Sequence, residues 1–372
     1  MRYFFIDIFR FIAILLMIQG HTFDALLKDS VRSASWFPIH DYLHGYVAAM
    51  FLFGSGIAFT ISTFKKWDLY ISFSPETKKR IYRYIRLIII GYFLHLPIFS
   101  FSKVVFGLTE NEYLQFVQSD ALHCIGVSLL FTQLLVSVSK SQKLLFIVSA
   151  SILLFTLVAT PYFWNYKFAE IFPLWLASYF SFQLKSWFPL FPWIGYLFSG
   201  IFVGYLFNKY REKHINQFFI WLTVISFIII IISINFGSII ESLYPPHDIW
   251  KSGGINFITQ TAVLSLILSF IFLVTHKIKS IPKIILTTSR QSLLIYVLHL
   301  LILYGSVISS GLKLLYSRSL SLENTLAIYL AIVILIYYFL QLWESAKKDY
   351  SPEMKKMGLI TTMALIIVFV IN

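Results

Sequence analysis

The sequence predicts an all-α integral membrane protein, a polytopic bundle of about eleven transmembrane helices, with ten as the alternative. Three observations predict it. The 372 residues are 58% hydrophobic and only 13% charged, with a mean hydropathy of +0.77. Soluble domains carry about 25% charged residues, so polar surface here is too scarce to cover a water-soluble globule. Apolar runs of spanning length recur along the chain. Lysine and arginine then concentrate in alternate connections.

The expected spans are 4–26, 43–64, 82–101, 119–139, 143–161, 188–207, 216–236, 255–275, 284–304, 323–343 and the short 357–371. The first is a retained helix and not a cleaved leader, because Asp7 and Arg10 interrupt it and no small-residue cleavage site follows. Gly54-Ser55-Gly56 in the second span and Gly200-x3-Gly204 in the sixth permit close helix contacts. Pro189, Pro192 and Trp193 predict a broken helix. Residues 162–187, rich in Trp, Phe and Tyr, read as an interfacial or partly buried helix. No connection is long enough for a separate soluble domain and no repeat is present, so 1–372 reads as one domain, with 305–372 forming the final helices.

One set of alternate connections carries 20 Lys and Arg and the other carries 8, which places the N-terminus in the cytoplasm. The formal charge of +13 belongs to this asymmetry. The cations lie between apolar segments and form no basic face, so no nucleic-acid partner is expected. The single cysteine, Cys124, allows no intrachain disulfide and reads as a small buried residue.

Ionisable groups within spans are costly and mark function by default. Five histidines, His21, His44, His95, His123 and His299, fall on the outer part of five different spans, which predicts a shared polar cavity there. On the first helix Arg10 and His21 are eleven residues apart. At 100° per residue they lie about 20° apart around the axis and roughly 16 Å apart along it. One stripe therefore joins a cation near the cytoplasmic side to a histidine in the outer half. A long ligand with anionic groups inside and a reactive end deeper in the membrane fits this stripe, as acyl-CoA would; a proton relay would use similar residues. Arg10 can equally pair with Asp7, one turn before it. Asp24, one turn beyond His21, is placed to orient the imidazole or to end the helix in solvent. Asp120 and His123 read as an acceptor-binding pair or as a helix cap, and His299, with Tyr296 one turn before it, is a similar case. Arg83 and Arg86 stand out in the basic run 78–86, at a helix start. His40-Asp41-x-x-His44 has a spacing compatible with metal but no third ligand nearby, so no metal is expected.

The segment IDIFRFIAILLMIQGHTFD resembles the first helix of the transmembrane acyltransferases, most closely the heparan-alpha-glucosaminide N-acetyltransferase-like family and its bacterial relatives. Arg-x10-His also resembles the signature of the related acyltransferase-three family. HGYVAAMFLFGSGIAF at 44–59, SDALHCIGVSLL at 119–130, FPLFPWIGYLFSGIFVGYL at 188–206 and SRQSLLIYVLHLLIL at 289–303 follow in order, so the resemblance covers about 1–304. The lysosomal branch has Asn where His21 stands and carries its active histidine before Ala-Ser-Trp. Here that stretch is Ser33-Ala34-Ser35-Trp36, which makes His21 the candidate for that work.

The resemblance implies transfer of an acetyl or other acyl group from cytoplasmic acetyl-CoA to a hydroxyl or amine of an extracytoplasmic glycan or amino sugar, in the cytoplasmic (inner) membrane. In that chemistry His21 is the general base, with Asp24 as its companion. Arg10, Arg83 and Arg86 contact the donor, and His44, Asp120, His123 and His299 line the acceptor site. A homodimer is compatible with this reading. The rival reading is a polytopic transporter or lipid-linked-glycan flippase using the same polar path, but transporters commonly contain repeats and none is found.

Overall fold

The computed structural model describes residues 3–372, apart from the side chains of Ser351 and Lys355. Arg2, which contributes to the charge asymmetry, lies outside the described residues. The chain is 79% helical with almost no sheet. The long helices are α1 (Phe4–Leu26), α2 (Phe37–Lys65), α3 (Pro75–Leu94), α4 (Ala121–Ser139), α5 (Gln142–Phe163), α6 (Leu190–Tyr210), α7 (Ile215–Glu241) and α8 (Gly254–Thr275). There follow α9 (Lys283–Arg290), α10 (Ser292–Tyr304), α11 (Leu322–Asp349) and α12 (Ser351–Ile371). Strands β1 (Gly305–Ser306) and β2 (Ser309–Ser310) form one small antiparallel hairpin.

Among the described residues nine helices are long and apolar enough to cross a membrane, and ten if α9 and α10, bent by 79°, make one broken span. The protein is therefore a multi-pass all-α membrane bundle. The remaining expected span, 82–101, corresponds to α3, which runs earlier, from Pro75 to Leu94. It stops short of Pro97, which has no N–H to donate and biases the residue before it away from helix. Its first twelve residues carry Lys78, Lys79, Arg80, Arg83 and Arg86, which lowers its mean hydropathy.

The expected helix within 162–187 is replaced by short turns at Phe168–Glu170, Leu174–Ala177 and Phe182–Leu184. Pro173 and the buried Ser178, Ser181 and Ser186 explain the difference. Proline interrupts the helical ladder, and the serines satisfy local backbone groups instead. Helix α6 is broken at Phe191 (φ −106°, ψ 127°), where Pro192 follows.

Contacts divide the chain into two compact units. The first contains Met1–Phe9, Ala48–Phe93 and Val117–Ile278. Within it α2 and α6 approach backbone to backbone: a Cβ at Gly56 would overlap the carbonyl of Leu197, and one at Gly200 would overlap that of Phe53. Only glycine permits such contact. Phe5, Phe207, Phe219 and Phe272 form an aromatic core, with Phe219 and Phe272 stacked at 3.8 Å. Tyr196 donates a 2.7 Å hydrogen bond to Gln260 and so ties α6 to α8.

The second unit contains Arg10–Val47, Leu94–Phe116 and Lys279–Asn372. Here the end of α1 pairs with the segment that enters α11. Lys28 N donates to Leu320 O and Leu320 N donates to Leu26 O, both at 3.0 Å. Phe23, Leu27 and Phe37 are buried beneath this pairing, with Val31 and Leu322 against them.

Candidate active site

The second unit gathers His21 from α1, His40 and His44 from the start of α2, and His299 from α10. The ring centroids of His21 lie 5.2 Å from His299 and 6.1 Å from His44, and His40 stacks on His44 at 6.2 Å. Local sequence permits this crowding. A Cβ at Gly20 would overlap the His44 imidazole, so the glycine beside His21 leaves the space that ring occupies. His299 is fully buried, and its Nδ1 donates to the Ile295 carbonyl at 2.9 Å. That bond leaves Nε2 as an acceptor, and among the described residues neither it nor His44 Nδ1 has a hydrogen-bond partner. Tyr296, one turn before His299, packs edge-on against its ring at 5.7 Å.

Asp24 does not bond His21 directly. Tyr304, the last residue of α10, stands between them: its hydroxyl donates to Asp24 Oδ2 at 3.0 Å and lies 3.4 Å from His21 Nδ1. With the phenol proton directed to the carboxylate, the phenol oxygen accepts from His21 Nδ1–H, and His21 Nε2 keeps its lone pair. Asp24 is held further by Arg318, whose Nη2 donates to Oδ1 at 2.7 Å and whose Nε donates to the Asp24 carbonyl at 3.0 Å. Arg32 Nη1 adds a 3.4 Å contact to the same carboxylate. Lys313 sits 5.1 Å over the Tyr304 ring. The near end of α1 requires such cations. Asp24 lies in the last turn, where the helix dipole is negative and a carboxylate is disfavoured without them.

His40 is fixed by Gln19, whose amide N donates to Nε2 at 2.8 Å, and by Asp41 Oδ1 at 3.3 Å from Nδ1. Its ring stacks on Phe23 and Phe37. Among the described residues no group of three or more His, Cys, Asp and Glu could hold a metal ion.

Asp120 and His123, in the first unit, form a capping box at the start of α4. Asp120 Oδ1 accepts from the His123 backbone N at 2.9 Å, and His123 Nδ1 lies 2.7 Å from that oxygen. His123 is fully buried, packs edge-on against Tyr92 at 4.2 Å, and occupies space that a Cβ at Gly91 would fill. Tyr92 hydrogen-bonds Tyr179 at 3.2 Å, and burial together with that bond pushes the Tyr179 phenol well above its ordinary range. The pair thus has the geometry of a helix cap. His95 follows the end of α3.

Among the donor candidates, Arg10 is half-buried on α1, one turn after the buried Asp7. Arg83 and Arg86 lie on the exposed face of α3, whereas Arg80 on the same helix is buried.

The sequence alone does not point to Tyr304, Arg318 or Arg32 as partners of Asp24. Tyr304 is 280 residues from Asp24 and has no local signature. Arg318 and Arg32 did leave a signal, since both are cations in the connections otherwise poor in positive charge.

Comparison with known proteins finds no match among curated ones. Residues 2–234, more than half of the chain, match the family described as Heparan-alpha-glucosaminide N-acetyltransferase, catalytic. That stretch contains His21, Asp24, His40 and His44, while His299, Tyr304 and Arg318 lie beyond it. The multi-pass helical bundle and this match together place the chain in the heparan-alpha-glucosaminide N-acetyltransferase catalytic family, as a membrane acetyltransferase.

Proposed function

We propose that the chain, as a single transmembrane domain in the cytoplasmic membrane, moves an acetyl group from cytoplasmic acetyl-CoA to a hydroxyl or amine of an extracytoplasmic glycan or amino sugar. The observation that carries the assignment of the base is the Asp24–Tyr304–His21 chain, which leaves His21 Nε2 free to take a proton. An acceptor hydroxyl is a poor nucleophile at neutral pH, and a positioned imidazole that removes its proton contributes about 10²–10⁴-fold.

The step balances simply. The acceptor oxygen or nitrogen forms a bond to the thioester carbonyl carbon while its proton passes to His21 Nε2. The tetrahedral intermediate collapses, the carbon–sulfur bond breaks, and the imidazolium returns the proton to the departing thiolate. Asp24 and Tyr304 hold the ring in one tautomer and favour its transient charge. An acyl-histidine would also satisfy the stoichiometry and is the alternative mechanism. His44 and His299 border His21 and supply acceptor atoms for the incoming group. In this reading Arg10, Arg83 and Arg86 serve the donor.

The test gives purified protein labelled acetyl-CoA and amino sugars or polysaccharides, and follows label into the acceptor. Wild type transfers label and His21→Ala loses transfer while retaining donor binding. Undiminished transfer by His21→Ala sinks the assignment of the base.

A further inference from the structure

Five cations crowd the start of α3, and four of them, Lys78, Lys79, Arg83 and Arg86, face outward. Arg80 faces inward and is 7% exposed. Its Nη1 donates to Thr63 Oγ1 at 2.8 Å and to Gln133 Oε1 at 3.1 Å, and its Nη2 donates to Ser62 Oγ. The guanidinium carbon lies 3.7 Å from the Tyr70 ring centroid and 4.8 Å from that of Phe59.

Each neighbour is itself oriented to present an acceptor. Gln133 spends its amide N–H groups on the Tyr70 carbonyl and Ser137 Oγ, which turns its oxygen toward Arg80. Thr63 and Ser62 donate their hydroxyl protons to the Phe59 carbonyl and so offer lone pairs. The cage is built for a cation, yet among the described residues no carboxylate lies within ion-pair distance of Arg80. A buried charge without a counter-ion is strongly disfavoured unless something supplies one. Three of the five guanidinium N–H groups are used. The Nε–H and the second Nη2–H have no partner among the described residues, and a guanidinium offers such donors as a planar fork suited to phosphate.

We propose that Arg80 is an anion-binding residue that takes a phosphate of the acyl-CoA donor, with the outward-facing cations of the same helix drawing the donor in. The proposal rests on the acyl-CoA reading above and names a residue for it. The Lys and Arg asymmetry puts this end of α3 on the cytoplasmic side, where the donor arrives. A phospholipid headgroup carries the same chemistry and is separated in the test.

Binding of CoA, of pantetheine, which lacks the phosphates, and of pyrophosphate is measured on the full chain in detergent, with size-exclusion profiles to confirm folding. Arg80→Gln weakens CoA binding about 10–100-fold, the loss expected for hydrogen bonds to a charged group. It leaves pantetheine binding unchanged. Arg80→Lys retains the charge without the fork and recovers part of the affinity. Should Arg80→Gln fail to fold, Arg80→Lys and Ser62→Ala still weaken CoA relative to pantetheine. Pyrophosphate competes with CoA on wild type and not on Arg80→Gln. CoA affinity unchanged in the folded Arg80 variants, or reduced only by Arg83→Gln and Arg86→Gln, overturns this proposal alone. So does an Arg80-dependent retention of phosphatidylglycerol in nanodiscs with CoA affinity unaffected. Wild type that binds neither CoA nor pyrophosphate overturns the donor reading with it.

Discussion

His21 with Asp24, and Asp120 with His123, are the same two side chains at the same spacing, one helical turn apart, yet they fold into opposite arrangements. At the start of α4 the aspartate comes first. It is the N-cap, so its carboxylate accepts the free backbone N–H of His123, and the imidazole swings back 2.7 Å from the same oxygen. The pair is buried. Near the end of α1 the order is reversed. The N–H groups of that turn are already bonded within the helix, so Asp24 has none nearby to cap. It sits at the negative end of the dipole and is held by Tyr304, Arg318 and Arg32 from later in the chain. Residue order relative to the helix end thus decides whether the carboxylate of an Asp–His pair caps the backbone or is held by side chains from elsewhere in the chain.

The comparison breaks most sharply at the two histidines. His21→Ala is expected to lower transfer by about 10²–10⁴-fold with acetyl-CoA binding retained. If it instead behaves as a stability variant with normal turnover per folded molecule, the two pairs are alike after all. Tyr304→Phe tests the intervening hydroxyl. It is expected to lower kcat about tenfold, equivalent to about 1.4 kcal/mol, with KM for acetyl-CoA unchanged. A change confined to KM would assign Tyr304 to substrate binding.

Smaller effects sharpen the other side. Asp120→Ala is expected to lower stability by about 1 kcal/mol, as loss of an N-cap does, read as a lower Tm in detergent. Turnover per folded molecule is expected to persist, and its loss would return that pair to the site. Smallest is Arg318→Met. Both partners are well exposed, 39% and 42%, so the pair contributes no more than about 1 kcal/mol and weakens with salt. A larger loss in thermal denaturation would show that the Asp24 clasp carries more than a surface ion pair.

Much of the fold was legible in the sequence because membrane helices must satisfy their backbone hydrogen bonds internally and so appear as long apolar runs. The expected runs match α1, α2, α4–α8 and α11–α12 to within six residues at either end. The misplacements have local causes: Pro97 ends α3 early, and Pro173 and hydrogen-bonding serines dissolve the expected helix in 162–187. Within the candidate site, His21 and His299 were singled out by their depth in spans, where an ionisable side chain is costly. A basic run does not reveal which of its members points inward; the burial of Thr77, Arg80 and Tyr84 shows the inward face of α3.

The sequence by itself determined the class of the protein, most of its spans, and the placement of Arg10 and His21 on one face of one helix. These follow from composition and helical geometry, which act over a few residues. Tertiary structure alone decided which histidines meet. His44 reaches His21 across Gly20, His299 comes from α10, and Tyr304 and Arg318 engage Asp24 from 280 and 294 residues away. Such contacts depend on how helices pack, and no local periodicity records that.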